Sequence, residues 1–449
     1  MDKAFKAYDI RGVYNKDFDK ADAYKIGFFL PGLLNARSIL VGRDIRQSSE
    51  EIFEALARGI TDSGADVRNA GLTTTPMIYW ATAKYEFEAS VQITASHNSK
   101  EYNGMKVSRK NAMPVGLDSG LGDLKEKISH SKPEPVKDRG RMSRFDFRKD
   151  YAAFQKSFLK DVSNLTSAID CSNGMAGIII KDIIGNRHNF INFTPDGRFP
   201  NHEPNPLIEE NTEGLKRLVA SKEADFGAIF DGDADRVTFV DDRGRFVSPD
   251  LIIALMGHHF LENRTETATV IQDIRTSKSV GEYLEPMGGK MYTWKVGRAY
   301  AASRLREIDG LYGGELAGHY YFKDFYYSDS GILALIHVMN ILSRFKKEGK
   351  SFSDLVDQIR TYANSGEINY TIEQKKEAME AVKNHFMDKE KPDNFFDFDG
   401  YRIEYPDWWM NIRPSNTEPY LRFLAEAKNE ALLNEKVEEV KKVLAPFRS

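Results

Sequence analysis

The sequence predicts a multidomain α/β protein that ends in a separate, smaller α+β domain. Several short apolar runs of β-forming residues lead into a polar loop and then a helix-forming segment, the pattern of α/β units. Two units share a motif, because Leu40–Ser48 and Thr269–Ser277 both pass from an apolar strand into Asp-Ile-Arg-x-Ser. This similarity indicates duplicated α/β domains. After about residue 360 the elements become short and rich in Lys, Glu and Phe, which favours a distinct C-terminal α+β domain.

Length, charge and cysteine content narrow the class of protein. At about 150 residues per domain, 449 residues predict three or so domains, each long enough to bury its own core. A net charge of −4 without a long Lys/Arg block argues against nucleic-acid and membrane partners, so we expect small-molecule partners. Cys171 is the single cysteine, so no intrachain disulfide can form. Met1–Gly12 lacks a signal-peptide core and no apolar run approaches a membrane span, so we expect a cytoplasmic protein.

Changes of composition divide the chain into four predicted domains. Ser131–Arg141 is rich in Pro, Lys, Glu and Gly, which is typical of a surface connection. Ser248 and Pro249 are typical of a helix start, with Ser as N-cap and Pro at the first helical position. The predicted domains are 1–142, 143–246, 247–360 and 361–449.

The first domain contains a candidate nucleophile. The apolar strand Ala89–Ile93 ends in Thr94-Ala95-Ser96-His97-Asn98-Ser99. A serine exposed at a strand end can act as a nucleophile, although Thr, Ser and Asn also form ordinary turns. Lys106 follows on a strand close by, where its ammonium group can stabilise a phosphate.

The second domain contains the strongest single signal, three aspartates between two strand-forming runs. Asp231, Asp233 and Asp235 follow Phe226–Phe230 directly, at the carboxyl end of a predicted buried strand. Three carboxylates packed this closely repel one another unless a hard cation neutralises them, which favours Mg²⁺ or Ca²⁺. Arg236 adds a guanidinium group that can grip a phosphate beside the metal.

Two plainer interpretations of the aspartates remain open at this point. The spacing also begins an EF-hand loop, with Asp242 at the twelfth position. Against a calcium loop, the sixth position is Arg236 where the EF-hand turn requires Gly, and Val237–Val240 is strand-forming and not helical. The other alternative is a solvated acidic turn, since surface turns favour Asp and Gly.

The third and fourth domains each contain one further candidate loop. In the third, Lys295-Val296-Gly297-Arg298 and Gly313–His319 follow short apolar runs, as the other candidate loops do. In the fourth, Trp408–Ile412 enters a loop with two arginines and several hydroxyl or amide donors around proline, Arg413–Arg422. This loop is a candidate oxyanion cradle, and the alternative is a rigid hairpin. An amphipathic helix is predicted over Glu435–Leu444.

Taken in order, these loops resemble those of the α-D-phosphohexomutases, and within that family the bacterial phosphomannomutase/phosphoglucomutase branch. The family's T-x-S-H-N-P, D-G-D-x-D-R, G-E-x-S-G-H and R-P-S-N-T-E-P loops correspond to Thr94–Asn98, Asp231–Arg236, Gly314–His319 and Arg413–Pro419. The resemblance spans essentially the whole chain. It implies three similar α/β domains with mixed sheets plus a C-terminal α+β lid domain around a central cleft.

The resemblance also implies an activity and its cofactors. The implied reaction is reversible phosphoryl transfer between C1 and C6 of a mannose or glucose phosphate, through phosphoserine and a hexose 1,6-bisphosphate. The implied cofactors are Mg²⁺ and the bisphosphate, which serves as activator and intermediate. We expect sugar phosphates as the partners and a monomer or homodimer as the assembly.

Site residues follow from the resemblance by position. The implied catalytic residues are Ser96, which would hold the transferable phosphate, with Arg11, His97, Lys106 and His319. The implied metal ligands are Ser96, Asp231, Asp233 and Asp235. The implied substrate-binding residues are Tyr8, Arg236, Lys295, Arg298, Glu315, Arg413, Ser415, Asn416, Thr417 and Arg422. For the general base, His319 is the candidate because histidine titrates near neutral pH, and Lys106 competes with it.

Three departures from the family pattern bear on the substrate. Ser99 replaces a proline, Ala317 replaces the serine of the sugar loop, and Arg298 stands where many relatives have histidine. The alternatives to a mannose or glucose phosphate mutase are a phosphoglucosamine mutase and a Mg²⁺-dependent sugar phosphatase that uses the same groups.

Overall fold

Four β-sheets follow one another along the chain, and helices cover them. The computed structural model describes residues 1–415 and 420–448. Of the predicted site residues, Asn416 and Thr417 lie outside the described residues.

The first sheet is mixed and belongs to the N-terminal unit. Its strands are β1 (Ile10–Val13), β2 (Ser38–Arg43), β3 (Asp66–Leu72), β4 (Ala89–Ile93), β5 (Tyr102–Arg109), β6 (Met113–Pro114) and β7 (Met142–Arg144). Their order is β1-β5-β4-β2-β3-β7, with β6 beside β5. Strands β4, β2, β3 and β7 run parallel, whereas β5 is antiparallel to both β4 and β1. The helices are α1 (Lys20–Leu34), α2 (Ser49–Asp62), α3 (Thr75–Lys84) and α4 (Leu121–His130).

The second unit repeats the design with fewer strands. It contains α5 (Arg148–Lys156), β8 (Ser167–Asp170), α6 (Ile180–Ile184), β9 (Asn189–Ile191), α7 (Glu213–Ser221), β10 (Phe226–Phe230), β11 (Val237–Asp241) and β12 (Phe246–Val247). The strand order is β12-β11-β10-β8-β9, and the step from β10 to β11 is antiparallel. The three aspartates occupy the tight turn of that hairpin, between Phe230 and Val237.

The third unit has a mixed sheet of order β14-β13-β15-β16-β17. Its elements are α8 (Pro249–Phe260), β13 (Ala268–Asp273), α9 (Lys278–Leu284), β14 (Gly289–Trp294), α10 (Arg298–Glu307), β15 (Tyr312–Gly314), β16 (Tyr320–Phe322), β17 (Ser328–Asp329), α11 (Gly331–Lys347) and α12 (Phe352–Ile359). Helix α11 is apolar on nearly every side and is buried along almost its whole length, as a central core helix must be.

The fourth unit is an antiparallel sheet with two helices, which differs in kind from the first three. It contains β18 (Ala363–Asn364), β19 (Ile368–Thr371), α13 (Lys375–Met387), β20 (Asn394–Phe396), β21 (Tyr401–Glu404), β22 (Trp408–Pro414), β23 (Tyr420–Ala427) and α14 (Glu430–Leu444). The strand order is β18-β23-β22-β21-β20, with β19 also on β23. Helix α14 begins five residues before the predicted Glu435, because the Asn429 side chain accepts a hydrogen bond from Leu432 N and caps it.

One buried apolar cluster joins the first three units, and the first and fourth units each have a core of their own. The largest cluster runs from Trp80 of α3 through Tyr151 of α5 to Ile252 of α8. The fourth unit has a separate cluster that includes Trp408 and Phe423. The predicted fold class, three α/β domains with mixed sheets plus a C-terminal α+β domain, is confirmed. No helix in the described ranges is long and apolar enough to cross a membrane.

Two glycines allow α1 and α2 to pack in close contact. A Cβ on Gly59 would lie 2.1 Å from the carbonyl oxygen of Tyr24, and one on Gly27 would lie 2.1 Å from that of Leu56. Neither backbone atom can move without shifting its helix. The contact therefore excludes any side chain larger than hydrogen at both positions.

We expect Gly59→Ala to destabilise the protein by about 1–3 kcal/mol, because the new methyl group must push the two helices apart. Gly32→Ala in the same helix pair is the matched control. A Cβ at Gly32 meets no atom within 4 Å, so this change should be neutral or stabilising by up to about 1 kcal/mol. Urea unfolding of both variants measures the difference, and equal effects would contradict the close packing.

Candidate active site

Loops from the first three units meet in one cleft. The Ser96 loop follows β4, the aspartate turn joins β10 to β11, and the Glu315–His319 loop joins β15 to β16. A cavity between them is lined by Tyr8, Asp9, Arg11, Lys106, Arg236, Val296, Gly297, Arg298, Glu315, Ala317 and His319. Four of these side chains are cationic, so the cleft suits a phosphorylated ligand.

The three aspartates converge behind Lys106 and Arg236, two side chains that line the cleft. Asp231, Asp233 and Asp235 are fully buried, and one carboxylate oxygen from each lies within 4.8 Å of the others. Burial and the negative charges of Asp233 and Asp235 raise the pKa of Asp231 well above its ordinary value. In the described part of the chain, Oδ1 of Asp233 and Oδ1 of Asp235 have no hydrogen-bond partner. Unpaired buried oxygens of this kind fit a hard divalent cation.

Lys106 reaches the same carboxylates from the first unit. Its Nζ donates a hydrogen bond to Asp233 Oδ2 at 2.7 Å and another to Asp235 Oδ2. Although burial disfavours the charged ammonium, Asp233 and Asp235 raise the pKa of Lys106 above its ordinary value. This cation therefore compensates part of the charge of the aspartates and joins the first unit to the second.

The Ser96 hydroxyl faces the aspartate turn. Its Oγ donates to Asp231 Oδ2 at 2.7 Å, and the side chain is fully buried. The backbone of Ser96 has φ +51°, in the left-handed region that favours glycine. Nδ1 of His97 lies 3.5 Å from the Ser96 Oγ. Burial and the positive charges of Arg236 and Arg11 lower the pKa of His97 well below its usual value, so this ring is neutral near pH 7.

Two arginines flank the serine. Arg11 on β1 donates to Asn98 Oδ1 at 2.9 Å and to Asp9 Oδ2 at 2.5 Å. Arg236 has its Nε 3.8 Å from Asp231 Oδ2, and this buried Nε has no hydrogen-bond partner among the described residues. Both guanidinium groups therefore lie where they can meet a phosphate on Ser96.

His319 forms a pair with Asp329, a residue that the sequence analysis did not predict. The His319 Nδ1 is 2.7 Å from Asp329 Oδ2 and 3.9 Å from Asp235 Oδ1. Although burial raises the pKa of Asp329, the hydrogen bond from His319 and the charge of Arg298 lower it below its ordinary value. An ionised Asp329 places the proton on Nδ1 and leaves Nε2 of His319 as the acceptor.

Arg298, the departure from histidine, is held at the wall of the cleft. Its Nε donates to Asp329 Oδ1 at 3.1 Å, and its guanidinium carbon lies 3.6 Å from the centre of the Tyr79 ring. Its Nη2 is buried without a partner in the described ranges. One donor of this arginine is therefore still available to an acceptor in the cleft.

The carboxylate of Glu315 is fixed at the sugar loop. Its Oε2 accepts from Gly297 N at 3.1 Å, and its Oε1 accepts from the Tyr321 hydroxyl at 2.5 Å. Tyr8 packs close to Gly297, where an added Cβ would lie 2.9 Å from the Tyr8 ring. The Lys295 Nζ lies 5.7 Å from the centre of the Tyr300 ring. Of these residues, Tyr8, Gly297 and Glu315 line the cavity.

The described phosphate-binding candidates of the fourth unit, Arg413, Ser415 and Arg422, do not line this cavity but lie together at the sheet of that unit. Arg413 on β22 and Arg422 on β23 both approach Glu367, at 3.6 Å and 3.0 Å. Ser415 is buried, and its backbone N donates to Tyr420 O at 2.9 Å. The fourth unit nevertheless reaches the wall of the cavity, because Asp399 Oδ2 accepts a hydrogen bond at 2.8 Å from the backbone N of Val296, which lies between β14 and α10.

Some residues of the site carried a weak sequence signal. Thr75 donates to Asp233 from its hydroxyl and, at 3.0 Å, from its backbone N to the Asp233 carbonyl. The sequence Thr74-Thr75-Pro76 is typical of a helix start. Asp329 stands directly before Ser330, which caps α11. The roles of both residues depend on contacts with distant elements, which no local pattern encodes.

Comparison with known proteins assigns the family. Four domain models of the phosphoglucomutase/phosphomannomutase family match in order. Domain I matches residues 2–130, domain II residues 148–244, domain III residues 248–362 and the C-terminal domain residues 367–443. The chain therefore belongs to the phosphoglucomutase/phosphomannomutase family, as the order of its four loops predicted.

Relatives align over nearly their whole length. The chain is 36% identical to a phosphomannomutase of Methanocaldococcus jannaschii, over 98% of this chain and 97% of the relative. It is 34% identical to a phosphomannomutase of Escherichia coli K12, over 96% of both chains. A phosphoglucomutase/phosphomannomutase family protein from Burkholderia thailandensis superposes with a TM-score of 0.89 at 27% identity, covering 100% of this chain and 98% of that one.

Mg²⁺ should stabilise the protein through the aspartate turn. At a concentration one hundred times its Kd, a ligand of the native state adds about 2.7 kcal/mol, so the unfolding midpoint should rise by several degrees. Asp231→Asn should remove most of this response, because the cation loses one charged ligand. Asp242→Asn is the control. The EF-hand alternative assigns Asp242 to the cation, whereas in this structure its Oδ1 accepts a hydrogen bond from Ser353 N at 2.7 Å. An equal loss in both variants would contradict the site.

Proposed function

We propose that this protein is a phosphohexomutase, which moves a phosphoryl group between C1 and C6 of a hexose phosphate. The observation that carries the proposal is the pairing of the buried Ser96 hydroxyl with Asp231 at 2.7 Å, next to a cleft lined by four cationic side chains. Phosphoserine would transfer its phosphoryl group to the free hydroxyl of the sugar phosphate, which gives a hexose 1,6-bisphosphate. After the bisphosphate reorients in the cleft, Ser96 would take back the other phosphoryl group. The bisphosphate would also serve as activator.

Different residues would bind the metal ion and orient the phosphate in this reaction. Asp231, Asp233 and Asp235, with a phosphate oxygen on Ser96, would hold Mg²⁺. When bound, the ion neutralises the charge of the transferring phosphoryl group. Arg11 and Arg236 flank Ser96 and would orient the phosphate for in-line transfer. The neutral ring of His97 would stay beside Ser96 without adding charge.

Proton transfer fits the pair of His319 and Asp329. With the proton held on Nδ1, the His319 Nε2 can accept a proton from the attacking sugar hydroxyl, and Asp329 then stabilises the charged ring. Lys106 is the weaker candidate, because its contacts with Asp233 and Asp235 keep its ammonium charged. We therefore assign the general base to His319.

The fourth unit would hold the phosphate that is not reacting. Arg413, Ser415 and Arg422, with Asn416 and Thr417, supply cationic and neutral donors for a dianion. Both ends of the bisphosphate must use this cradle in turn, so it must sit away from Ser96. Lys295, Arg298 and Tyr8 would contact the sugar phosphate between the two ends of the cleft.

Three alternatives differ from this proposal in what they predict. A Mg²⁺-dependent phosphatase would release inorganic phosphate, and a calcium module would carry no phosphate on any serine. A phosphoglucosamine mutase would prefer a sugar phosphate that carries an amino group at C2. The relatives named phosphomannomutase favour a mannose or glucose phosphate over glucosamine phosphate. We also propose a cytoplasmic monomer or homodimer.

Ser96→Ala should abolish turnover of mannose 1-phosphate and glucose 1-phosphate, assayed with a trace of hexose 1,6-bisphosphate. The variant should fold normally, because removal of one hydroxyl leaves no cavity larger than an oxygen atom. The wild-type protein should carry a fractional phosphate in intact-mass measurement that maps to Ser96. Ser99→Ala, in the same loop, should keep both activity and phosphate. Wild-type turnover in Ser96→Ala would overturn the mechanism, and inorganic phosphate as main product would favour the phosphatase.

Glu315→Gln should weaken the binding of mannose phosphate and glucose phosphate alike and raise KM for both by roughly tenfold, because a charged hydrogen-bond acceptor is lost. The two sugars differ only at C2, so a carboxylate that reads the shared 3- and 4-hydroxyls cannot distinguish them. Ala317→Ser adds the hydroxyl that relatives have and should lower both KM values. A large change in the mannose-to-glucose ratio, or glucosamine phosphate as best substrate, would contradict this assignment.

A further inference from the structure

The Asp-Ile-Arg motif of the first unit places a buried arginine behind the Ser96 loop. Nη2 of Arg46 donates to Ser96 O at 2.8 Å and to Asn98 O at 2.6 Å. Nη1 donates to Ser99 O at 2.6 Å and to Tyr102 O at 3.1 Å. Four main-chain carbonyls of one loop therefore share a single guanidinium group.

The guanidinium group is itself fixed from two sides. Its Nε lies 3.2 Å from Asp44 Oδ2, and Ser49 Oγ donates to Asp44 Oδ1 at 2.5 Å. From the second unit, the Phe199 ring centre lies 5.0 Å from the guanidinium carbon, and Gly197 forms a β-bridge with Arg46. The side chain of Arg46 has no exposed surface. Two units thus hold this arginine in one orientation.

The loop needs such a partner because its own conformation is unfavourable. Ser96 adopts φ +51°, which costs free energy for a residue with a side chain. Carbonyl oxygens that point at one place also repel one another unless a cation or donors stand between them. The guanidinium group offsets both costs only while the loop keeps this path. On this path the Ser96 Oγ meets Asp231 at 2.7 Å.

The same motif in the third unit behaves differently. Arg275 hydrogen-bonds to Asp273, from Nε at 3.1 Å and from Nη2 at 2.7 Å. Across the described ranges, its side chain donates to no main-chain carbonyl. The contact of Arg46 with a loop is therefore not a general consequence of the Asp-Ile-Arg turn but belongs to the nucleophile loop.

We propose that Arg46 is the positioning residue that sets the Ser96 hydroxyl, and later its phosphate, in line with the cleft. This inference rests on the proposed function. Arg46 acts through the loop carbonyls, and its fully buried side chain, whose terminal nitrogens already donate to those carbonyls, takes no part in sugar binding. Its loss should therefore lower kcat and leave KM nearly unchanged.

Arg46→Lys tests this with the charge retained. A lysine ammonium has three donors on a narrow tip and cannot span four carbonyls and Asp44. A misplaced nucleophile costs on the order of 10²-fold in rate, so kcat should fall by about that factor while KM stays within about threefold. Arg306→Lys is the matched control, since Arg306 donates to Asn111 O at 2.9 Å and Tyr326 O at 2.6 Å, away from the cleft. It should lose stability without losing kcat.

Amide hydrogen exchange over residues 94–102, measured without substrate, tests the positioning independently of activity. Exchange should quicken at least about tenfold in Arg46→Lys and stay unchanged in Arg306→Lys. If the wild-type protein turns over no sugar phosphate but exchange changes as stated, the proposed function fails and the positioning stands. Unchanged exchange in this loop, wild-type kcat in Arg46→Lys, or an equal loss of kcat in Arg306→Lys would each overturn the inference.

Discussion

The mutual repulsion of three buried carboxylates is the constraint on which the rest of the site depends. Asp231, Asp233 and Asp235 sit in a hairpin turn too short to separate them, and burial removes the water that would screen them. Two cations offset part of this negative charge. Lys106 comes from the first sheet, and Arg236 follows directly on the turn. The charge balance of the turn therefore requires that the first and second units be packed together.

Packing of the buried core differs between the units and bears on how the cleft can move. One apolar cluster contains side chains of α3 from the first unit together with core residues of the second and third units, and it holds the aspartate turn and the sugar loop close to the first unit. The fourth unit has its own core and meets the third through polar contacts, such as Arg402 with the carbonyls of Ile274 and Thr276 at 2.9 Å and 2.6 Å. Polar contacts of this kind reform after a domain moves. This arrangement suits a reaction whose intermediate must turn around between two transfers.

Several groups around the cleft are each held in place by a residue from another element of the fold. Asp329 orients His319, Tyr321 and Gly297 orient Glu315, and the Ser96 loop rests on Arg46. In each case a side chain or loop that can reach a ligand is fixed by a group behind it. Fixed donors and acceptors lose little freedom when a ligand binds, which is the physical basis of preorganisation.

Local sequence determined the units, the loops and the chemistry that each loop offers. Strand-forming runs ended by Asp-Gly-Asp or by Thr-Ala-Ser-His are patterns of neighbouring residues, so the sequence alone predicts Ser96, the aspartate turn and the Glu315 loop as candidate sites. The order of these loops also gave the family. Tertiary structure alone decided the partners of those residues. Thr75, Asp329 and Arg46 meet the loops across 158, 10 and 50 residues of chain, and the nearest of these contacts still joins the loop before β16 to β17. No periodicity encodes such contacts, because they follow from how separate elements of the fold pack.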